Sequence, residues 1–464
     1  MTFSSIQPAP GIDLSILDDL FAGHGPRLAH MRDAGAVARD LGRSLSLPPA
    51  RAGLLMRSAL LHDIGYAPAL HRFSFHALDG ALFLADQGEH PWVVEAVLRH
   101  SQADRKAPSI PGVAEEYAAR PALVEANWLV RLVTVADWRS AGVGGRVSFG
   151  QRLQDILRRN PDNPGKARRA TVMVAEVRDW FLESARGMGT SPLPWIFCDV
   201  DNTLIRPGDG LSPSNRAAIR AYVAGGGRFS LATGKHPRSI VSLIQDLGLG
   251  SAQVAANGTC LLERGRITVL AHLGEAAQAL RLRLEALGLP LALYREDGIE
   301  AGGAWEGWMD DVFDRYGEIR PLRGPQSGPV LKILGVVDDT DPRREQALRD
   351  LAVSVGAQVC RSDRHFLEFV PHGGDKGRAV CQVTEKAGWP LLHTLALGDT
   401  ENDAAMFAQC GACAAVANAT DEARLGADWV VPACTEDGVG RLLHVLRQGG
   451  GWRALSSTLH ISAG

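Results

Sequence analysis

Three observations predict a multidomain chain, with an all-α part followed by an α/β part built on a parallel sheet. The first is length: 464 residues exceed one ordinary hydrophobic core, so two or three domains are expected. The second is a change of period. Apolar residues recur at three and four from residue 12 to about 186, after which short apolar strands alternate with helical stretches. The third is the histidine distribution. Seven of 14 histidines (His24, His30, His62, His71, His76, His90 and His100) fall in the first 100 residues, which implies different chemistry in the two halves.

In chain order, RLAHMRDAGAVARDLGRSL, ARAGLLMRSALLHDIG, LDGALFLADQG, PWVVEAVLRHSQ and EANWLVRLVTVADWRS each carry a helical apolar stripe. RRNPDNPGKARRA predicts a solvated turn opening another helix that ends near FLESARG. GMGTSPLP, at 187–194, has two glycines and two prolines without periodicity, which is linker chemistry. Beyond it WIFCDV, GRFSLAT and AQVAANG predict strands, separated by the helical stretches NRAAIRAYVAGG and RSIVSLIQDLG. LLHTLALGDT and ACAAVAN repeat the strand composition. The expected organisation is therefore an all-α domain over 12–186, a core over 195–269 and 365–449, and an inserted α/β unit over 270–364. That insertion has its own strand, VLKILGVV, and its own helices, EAAQALRLRLEAL and PRREQALRDLAVSV.

Hydrophobic content of 45%, charged content of 22% and a formal net charge of -3 give no reason to expect nucleic-acid or membrane binding. Only six of the 49 basic residues are lysines; beside so much Ala and Gly, the bias reads as composition rather than an arginine-built function. No signal peptide is expected at MTFSSIQPAPGIDLS, and no apolar run approaches the roughly 20 residues that span a bilayer. Seven cysteines, an odd number scattered from Cys198 to Cys434, form no disulfide framework. A cytoplasmic protein is expected, and its oligomeric state is left open.

In DVDNT, Asp199 and Asp201 stand two apart at the end of an apolar strand. On a continuing strand both would face one side, which at a sheet's carboxyl edge opens into the ligand crevice. Thr233 and Gly234 end the next strand, Lys376 follows a third in FLEFVPHGGDKG, and GDTENDAAM adds Asp399 and Asp403 after a fourth. Clustered carboxylates repel unless a hard cation sits among them, and Mg²⁺ takes such oxygen ligands. One carboxylate can then act as nucleophile and a neighbour as acid/base, with Lys and Thr holding a phosphoryl group.

DVDNT, ATG, the lysine of GGDKGRA and GDTENDAAMF, in this order, resemble the four motifs of the haloacid dehalogenase superfamily of phosphatases. ANGT at 256–259, NATDEARLGADWVV and EDGVGRLL resemble signatures of its branch with a large α/β cap between the second and third motifs. The likeness covers about 195–449. It implies a Rossmann-like parallel-sheet phosphatase core with a cap that selects a small phosphorylated metabolite or nucleotide. It further implies that Asp199 attacks phosphorus and that Asp201 protonates the leaving oxygen and then activates water. Thr233 and Lys376 would hold phosphoryl oxygens, with Asn257, Gly234 and Lys235 at the substrate. Asp199, the Asp201 carbonyl and Asp399 would bind Mg²⁺, supported by Asp403. Lys235 departs from the arginine more common after TG.

LLHDIGY, at 60–66, sets His62 against Asp63 after an apolar run. Burying such groups unpaired costs several kcal/mol, on the order of the unpaired-charge penalty. Adjacent helical residues point about 100° apart, so other segments must supply further ligands to a shared centre. His30, His76, His100 and Asp137 are the candidates. Imidazole with carboxylate suits a transition-metal ion (Mn, Fe, Co, Ni or Zn). The order resembles the HD superfamily of helical metal-dependent phosphohydrolases, over about 24–145, and HDIG is its commonest core tetrapeptide. The resemblance implies one metal on His30, His62, Asp63 and Asp137. His76 and His100 match extra ligands of two-metal members, in which Asp63 would bridge. Ser101 stands where some two-metal members have a second histidine, which points to a second site that is weak or empty.

The resemblances together imply a bifunctional phosphohydrolase, with phosphodiester, pyrophosphate or phosphomonoester hydrolysis in the first domain and phosphomonoester hydrolysis in the second. The alternatives are a first domain that senses or assembles without catalysis, or one that is a di-iron oxygenase. His24, His71 and His90 read as surface. Asp33, Asp79 and Asp104 read as solvated, or as partners of ligands at most. CGAC at 410–413 reads as core packing, Trp305 and Trp308 as the buried face of a helix, and GGG at 225–227 as a helix end.

Overall fold

The computed structural model describes residues 11–184, 193–337 and 341–448. The linker expected over 187–194 lies outside the described residues as far as 192. The chain divides into two compact units, Met1–Met188 and Gly189–Gly464.

The first unit is helical: α1 (Ile16–Leu20), α2 (Gly25–Ser44), α3 (Pro49–Leu61), α4 (His76–Asp86), α5 (Pro91–Arg99), α6 (Ala103–Lys106), α7 (Val113–Ala118), α8 (Asn127–Trp138), α9 (Phe149–Arg158) and α10 (Pro164–Ser184). Prolines in the first turns of α2, α3 and α5 start those helices where no backbone donor is needed. α9 opens on a capping box: Gln151 N donates to Ser148 Oγ at 2.9 Å and Ser148 N to Gln151 Oε1 at 2.8 Å. Met31, Leu61, Leu78, Val93 and Val97 are buried together in the core these helices share. The glycine of HDIG has a packing role. A Cβ on Gly65 would lie 2.0 Å from the carbonyl oxygen of His76, so only glycine lets the turn after α3 approach the start of α4.

The second unit contains a five-stranded parallel sheet in the order β14-β13-β12-β1-β2, formed by β1 (Trp195–Cys198), β2 (Arg228–Leu231), β12 (Thr394–Gly398), β13 (Ala412–Val416) and β14 (Trp429–Val431). Helices α11 (Pro213–Ala224), α16 (Lys376–Lys386), α17 (Ala404–Gln409), α18 (Asp421–Gly426) and α19 (Gly438–Gln448) alternate with its strands, and α12 (Val241–Leu247) follows β2. Gly225 caps α11 ahead of β2, so the GGG run is a helix end.

Two strands fall elsewhere than expected. AQVAANG supplies β3 (Gln253–Ala255), which joins the parallel sheet only through an Ala232–Val254 bridge. It pairs instead in an antiparallel sheet with β4 (Cys260–Glu263), which pairs β5 (Arg266–Val269). FLEFVP forms β11 (Phe366–Pro371), which pairs with β9 (Lys332–Val336) and β10 (Ala357–Asp363) in a separate six-stranded sheet, completed by β6 (Pro290–Tyr294), β7 (Ile299–Gly303) and β8 (Leu322–Arg323). Lys376 is therefore delivered by the first turn of α16, not by a strand of the parallel sheet.

The cap's helices include α13 (Ala276–Ala286), α14 (Gly307–Arg315) and α15 (Pro342–Ser354). The buried face of α14 is Met309 and Phe313; Trp308 is 51% exposed and Trp305 precedes the helix. A paired burial of these tryptophans is thus corrected: helical spacing turns position 308 about 100° from 309. Cys410 and Cys413 are buried and joined by no disulfide. No described helix is long and apolar enough to cross a membrane.

Candidate functional site

In the first unit α3 ends at Leu61. His62 keeps a helical backbone and Asp63 leaves it, which frees the two side chains to turn toward one centre. His30 comes from α2, His76 opens α4, His100 follows α5 and Asp137 lies in α8. The fold brings all six together, in groups whose ligand atoms lie within 4.8 Å of one another. Asp63 Oδ2 is 3.6 Å from His30 Nε2 and 3.5 Å from His62 Nε2. Its other oxygen, Oδ1, is 3.5 Å from His76 Nε2 and 3.6 Å from His100 Nε2. One carboxylate thus faces two pairs of imidazoles.

The hydrogen-bond pattern tests whether this cluster fits a cation. His30 Nδ1 lies 2.9 Å from the Ala141 carbonyl, His62 Nδ1 2.8 Å from Ala59 O, and His100 Nδ1 2.7 Å from Val97 O. Carbonyls only accept, so each Nδ1 donates, which leaves Nε2 to face the carboxylates and any ion they hold. Burial lowers the His100 pKa, but Asp63 outweighs it and raises it. Burial, the largest influence, lowers His62 to about 4 and His76 to about 3, so both are neutral near pH 7. His30 and His62 nevertheless point Nε2 at each other at 3.2 Å. Two ring nitrogens at that distance, neither committed to a carbonyl and with two carboxylates alongside, fit a metal cation.

Of the groups around the cluster, Arg27, Tyr66, Thr134 and Arg152 were not legible as site residues, whereas Ser101 was marked by its place beside His100. Arg27 Nη1 donates to Asp63 Oδ2 at 2.5 Å, and its guanidinium lies 4.2 Å over the ring of Tyr66, which stacks on His76. The hydroxyl of Ser101 donates to Asp137 Oδ2, and Ser101 N donates to Thr134 Oγ1 at 2.9 Å. Arg152 Nη2 is 3.4 Å from Asp137 Oδ1 and Nη1 is 3.6 Å from Asp155 Oδ2, while its buried Nε has no hydrogen-bond partner among the described residues.

His24 and His71 are exposed, but His90 is half-buried because its Nδ1 accepts from Trp92 N and caps α5. Asp104 is exposed. Asp33 accepts from Gly145 N at 2.5 Å. Asp79 is buried, and it accepts from Phe73 N at 2.8 Å and Phe75 N at 3.2 Å, holding the loop that enters α4 at His76.

In the second unit Asp199 follows β1, and its backbone N donates to Leu397 O of the adjacent β12. Lys376, fully buried, donates to Asp199 Oδ1 and to Asp403 Oδ1, each at 2.7 Å. Asp403 Oδ2 accepts from Asp399 N at 2.9 Å and Thr400 N at 3.3 Å, so this carboxylate organises the loop after β12. A Cβ on Gly398 would lie 2.3 Å from Asp403 Cγ, hence glycine there. Thr203, inside DVDNT, donates to Asp399 Oδ1 at 3.2 Å.

Asp199, Asp399 and Asp403 form a buried all-oxygen group within 4.8 Å. Burial foremost, and then mutual repulsion, raise Asp199 to about 7 and Asp399 well above the ordinary range. The chemistry of that donor set fits a hard divalent cation. Ionising these carboxylates opposes the metal-free fold, whose stability should fall as pH rises from about 4 to about 7. Added Mg²⁺ should therefore raise the melting temperature more at pH 8 than at pH 5, read by differential scanning fluorimetry against EDTA. An equal increment at both values would count against a cation among these groups.

The remaining residues stand around this group. Asp201 is 3.0 Å from Lys235 Nζ, which also donates to the carbonyl of Tyr316 in the cap. Burial raises the Asp201 pKa, against the opposing pull of Lys235. Thr233 is buried after β2, with its hydroxyl oxygen accepting from Lys235 N at 3.2 Å. Gly234 O accepts from Lys332 Nζ at 2.6 Å. Asn257 donates to Glu368 Oε2 at 2.7 Å and accepts from Asn402 at 3.3 Å. Lys332 and Glu368, both buried, form an ion pair in the wall of the recess above Asp199 and Asp201. A lysine inside the apolar strand VLKILGVV, in a chain with six lysines, was the signal that could have revealed this pair.

The family model of haloacid dehalogenase-like hydrolases matches residues 196–443, more than half of the chain, and the chain belongs to that family. An HD domain model matches residues 27–142. The 5-amino-6-(5-phospho-D-ribitylamino)uracil phosphatase YwtE of Bacillus subtilis is 25% identical over 55% of this chain and 98% of its own length. A phosphoglycolate phosphatase of Halorubrum lacusprofundi is 31% identical over 47% of this chain and 82% of its own. A solved haloacid dehalogenase-like hydrolase from B. subtilis shares the fold, with a TM-score of 0.50 and 20% identity over 55% of this chain and 100% of that one. The protein is an enzyme, a phosphatase of this superfamily.

Proposed function

We propose that the second unit hydrolyses small phosphomonoesters through an aspartyl-phosphate on Asp199, and that the first unit is a second, metal-dependent phosphohydrolase. The observation that carries the first part is Asp199 held by buried Lys376 among crowded carboxylates at the end of β1. Mg²⁺ on Asp199, Asp399 and the Asp201 carbonyl, with Asp403 behind, would neutralise these groups and polarise the phosphoryl oxygens. Asp199 attacks phosphorus while Asp201 gives its proton to the leaving alcohol oxygen. Asp201, then a carboxylate, takes a proton from the water that cleaves the acyl phosphate. Lys376 and Thr233 hold the phosphoryl oxygens, and Gly234, Lys235 and Asn257 shape the entry for the rest of the substrate.

In the first unit, His30, His62 and Asp137 would hold one transition-metal ion, His76 and His100 a second, and Asp63 both. These ions would supply Lewis acidity and activate a water near neutral pH. Arg152, whose Nε has no hydrogen-bond partner among the described residues, and Arg27 place cations beside the cluster, which suits an anionic phosphoester. That charge favours hydrolysis over oxygen chemistry on a neutral substrate. Seven cysteines without a disulfide fit a reducing cytoplasm.

The test is a phosphate-release screen of the full chain over a metabolite panel, with Mg²⁺ and then Mn²⁺, in Asp199→Asn and Asp63→Asn forms. Each variant should keep a different subset of the wild-type substrates. If Asp199→Asn alone silences every substrate, the first unit is not a phosphohydrolase. Oxygen consumption with iron bound would assign it oxygenase chemistry instead.

A further inference from the structure

The recess above Asp199 and Asp201 carries a charge pattern that bears on the substrate's alcohol portion. Its cap wall has four aromatic rings, Tyr294, Phe313, Tyr316 and Phe366. Between them stand three carboxylates, Glu318, Asp363 and Glu368, against one cap lysine, Lys332. Lys332 is spent on Glu368, which also accepts from Asn257. Lys235, the core cation lining the same recess, is spent on Asp201.

Glu318 and Asp363 form no ion pair among the described residues. Glu318 is held by neutral donors: His236 N at 3.0 Å, Ile319 N at 3.1 Å, the Tyr294 hydroxyl at 3.1 Å and the Ser239 hydroxyl. Asp363 accepts from the Tyr316 hydroxyl at 2.8 Å and is only half-buried. Hydrogen bonds from neutral groups orient a carboxylate without cancelling its charge. Away from the phosphoryl position the recess therefore has two uncompensated negative charges among aromatic faces, and low-dielectric walls focus such a field.

We propose that this recess selects phosphomonoesters of ring-bearing alcohols that carry a cationic or hydrogen-bond-donating group, and rejects those with a second anion. The rings supply stacking faces and the two carboxylates supply the charge preference, so Glu318 and Asp363 are specificity determinants. The inference rests on the phosphatase reading of Asp199.

Two probes isolate the charge: pyridoxamine phosphate and pyridoxic acid phosphate share ring and phosphoryl group and differ by an amine against a carboxylate. With the full chain and Mg²⁺, kcat/KM should favour the amine at least tenfold. Asp363→Asn keeps an acceptor for Tyr316 and should shrink that ratio severalfold. Should Asp363→Asn lower the melting temperature sharply, Glu318→Gln reads the same loss of discrimination. Comparable rates on both probes, or preference for the carboxylate, overturn the inference and leave the phosphatase reading intact. Cleavage of p-nitrophenyl phosphate but of neither probe overturns it as well. Failure on all three substrates defeats the phosphatase reading itself, and this inference with it.

Discussion

Asp199→Asn should lose phosphate release by a thousandfold or more, on the order seen when a nucleophile is removed, while the melting temperature holds. An amide cannot form the acyl phosphate, but it fills the same volume and still offers an oxygen to Lys376, 2.7 Å away. The substitution also removes one of three carboxylates that crowd each other. Folding therefore has no reason to fail, and Lys376 keeps Asp403 as its counter-charge. The measurement is phosphate release from p-nitrophenyl phosphate with Mg²⁺, in a background carrying Asp63→Asn so that the first unit adds nothing. Activity within tenfold of that background would sink the nucleophile assignment.

The two ions proposed for the first unit should both be lost in Asp63→Asn, whereas His76→Ala should lose only one. The contrast follows from Asp63, whose two oxygens each stand 3.5–3.6 Å from two imidazole nitrogens. Exchanging the shared carboxylate for an amide removes a charge from both centres at once. Loss of His76 leaves His30, His62, Asp63 and Asp137 as a set. Affinity should fall roughly a hundredfold or more at each affected centre, at least as much as when a ligand's supporting partner is lost. Elemental analysis of the full chain after dialysis with Mn²⁺ would read two equivalents fewer in Asp63→Asn than in the wild type, and about one fewer in His76→Ala. A loss of only one equivalent in Asp63→Asn would show that the two centres do not share this ligand.

Much of both sites was legible because their residues sit in short segments with local signals. DVDNT follows an apolar strand and HDIG follows an amphipathic helix; both patterns survive whatever the rest of the chain does. What lay outside reach was who meets whom. Arg27 and Arg152 resembled the other arginines of an arginine-rich chain, and nothing local marks a guanidinium that will face a buried aspartate. Glu318 and Asp363 lie in cap segments with no motif, so their shared recess emerges only once the cap strands are laid side by side.

The sequence by itself determined the helical and strand periods, the two-part organisation and the ordered set of acidic, histidine and lysine side chains that carry the chemistry. Tertiary structure alone decided that β11 joins the cap sheet, that β3 turns antiparallel, and that Lys376 bridges Asp199 and Asp403. The reason is physical. Periodicity and turn residues act over a few positions, while strand partners and ion pairs are settled by packing between distant segments. Every strand offers that packing the same backbone donors and acceptors.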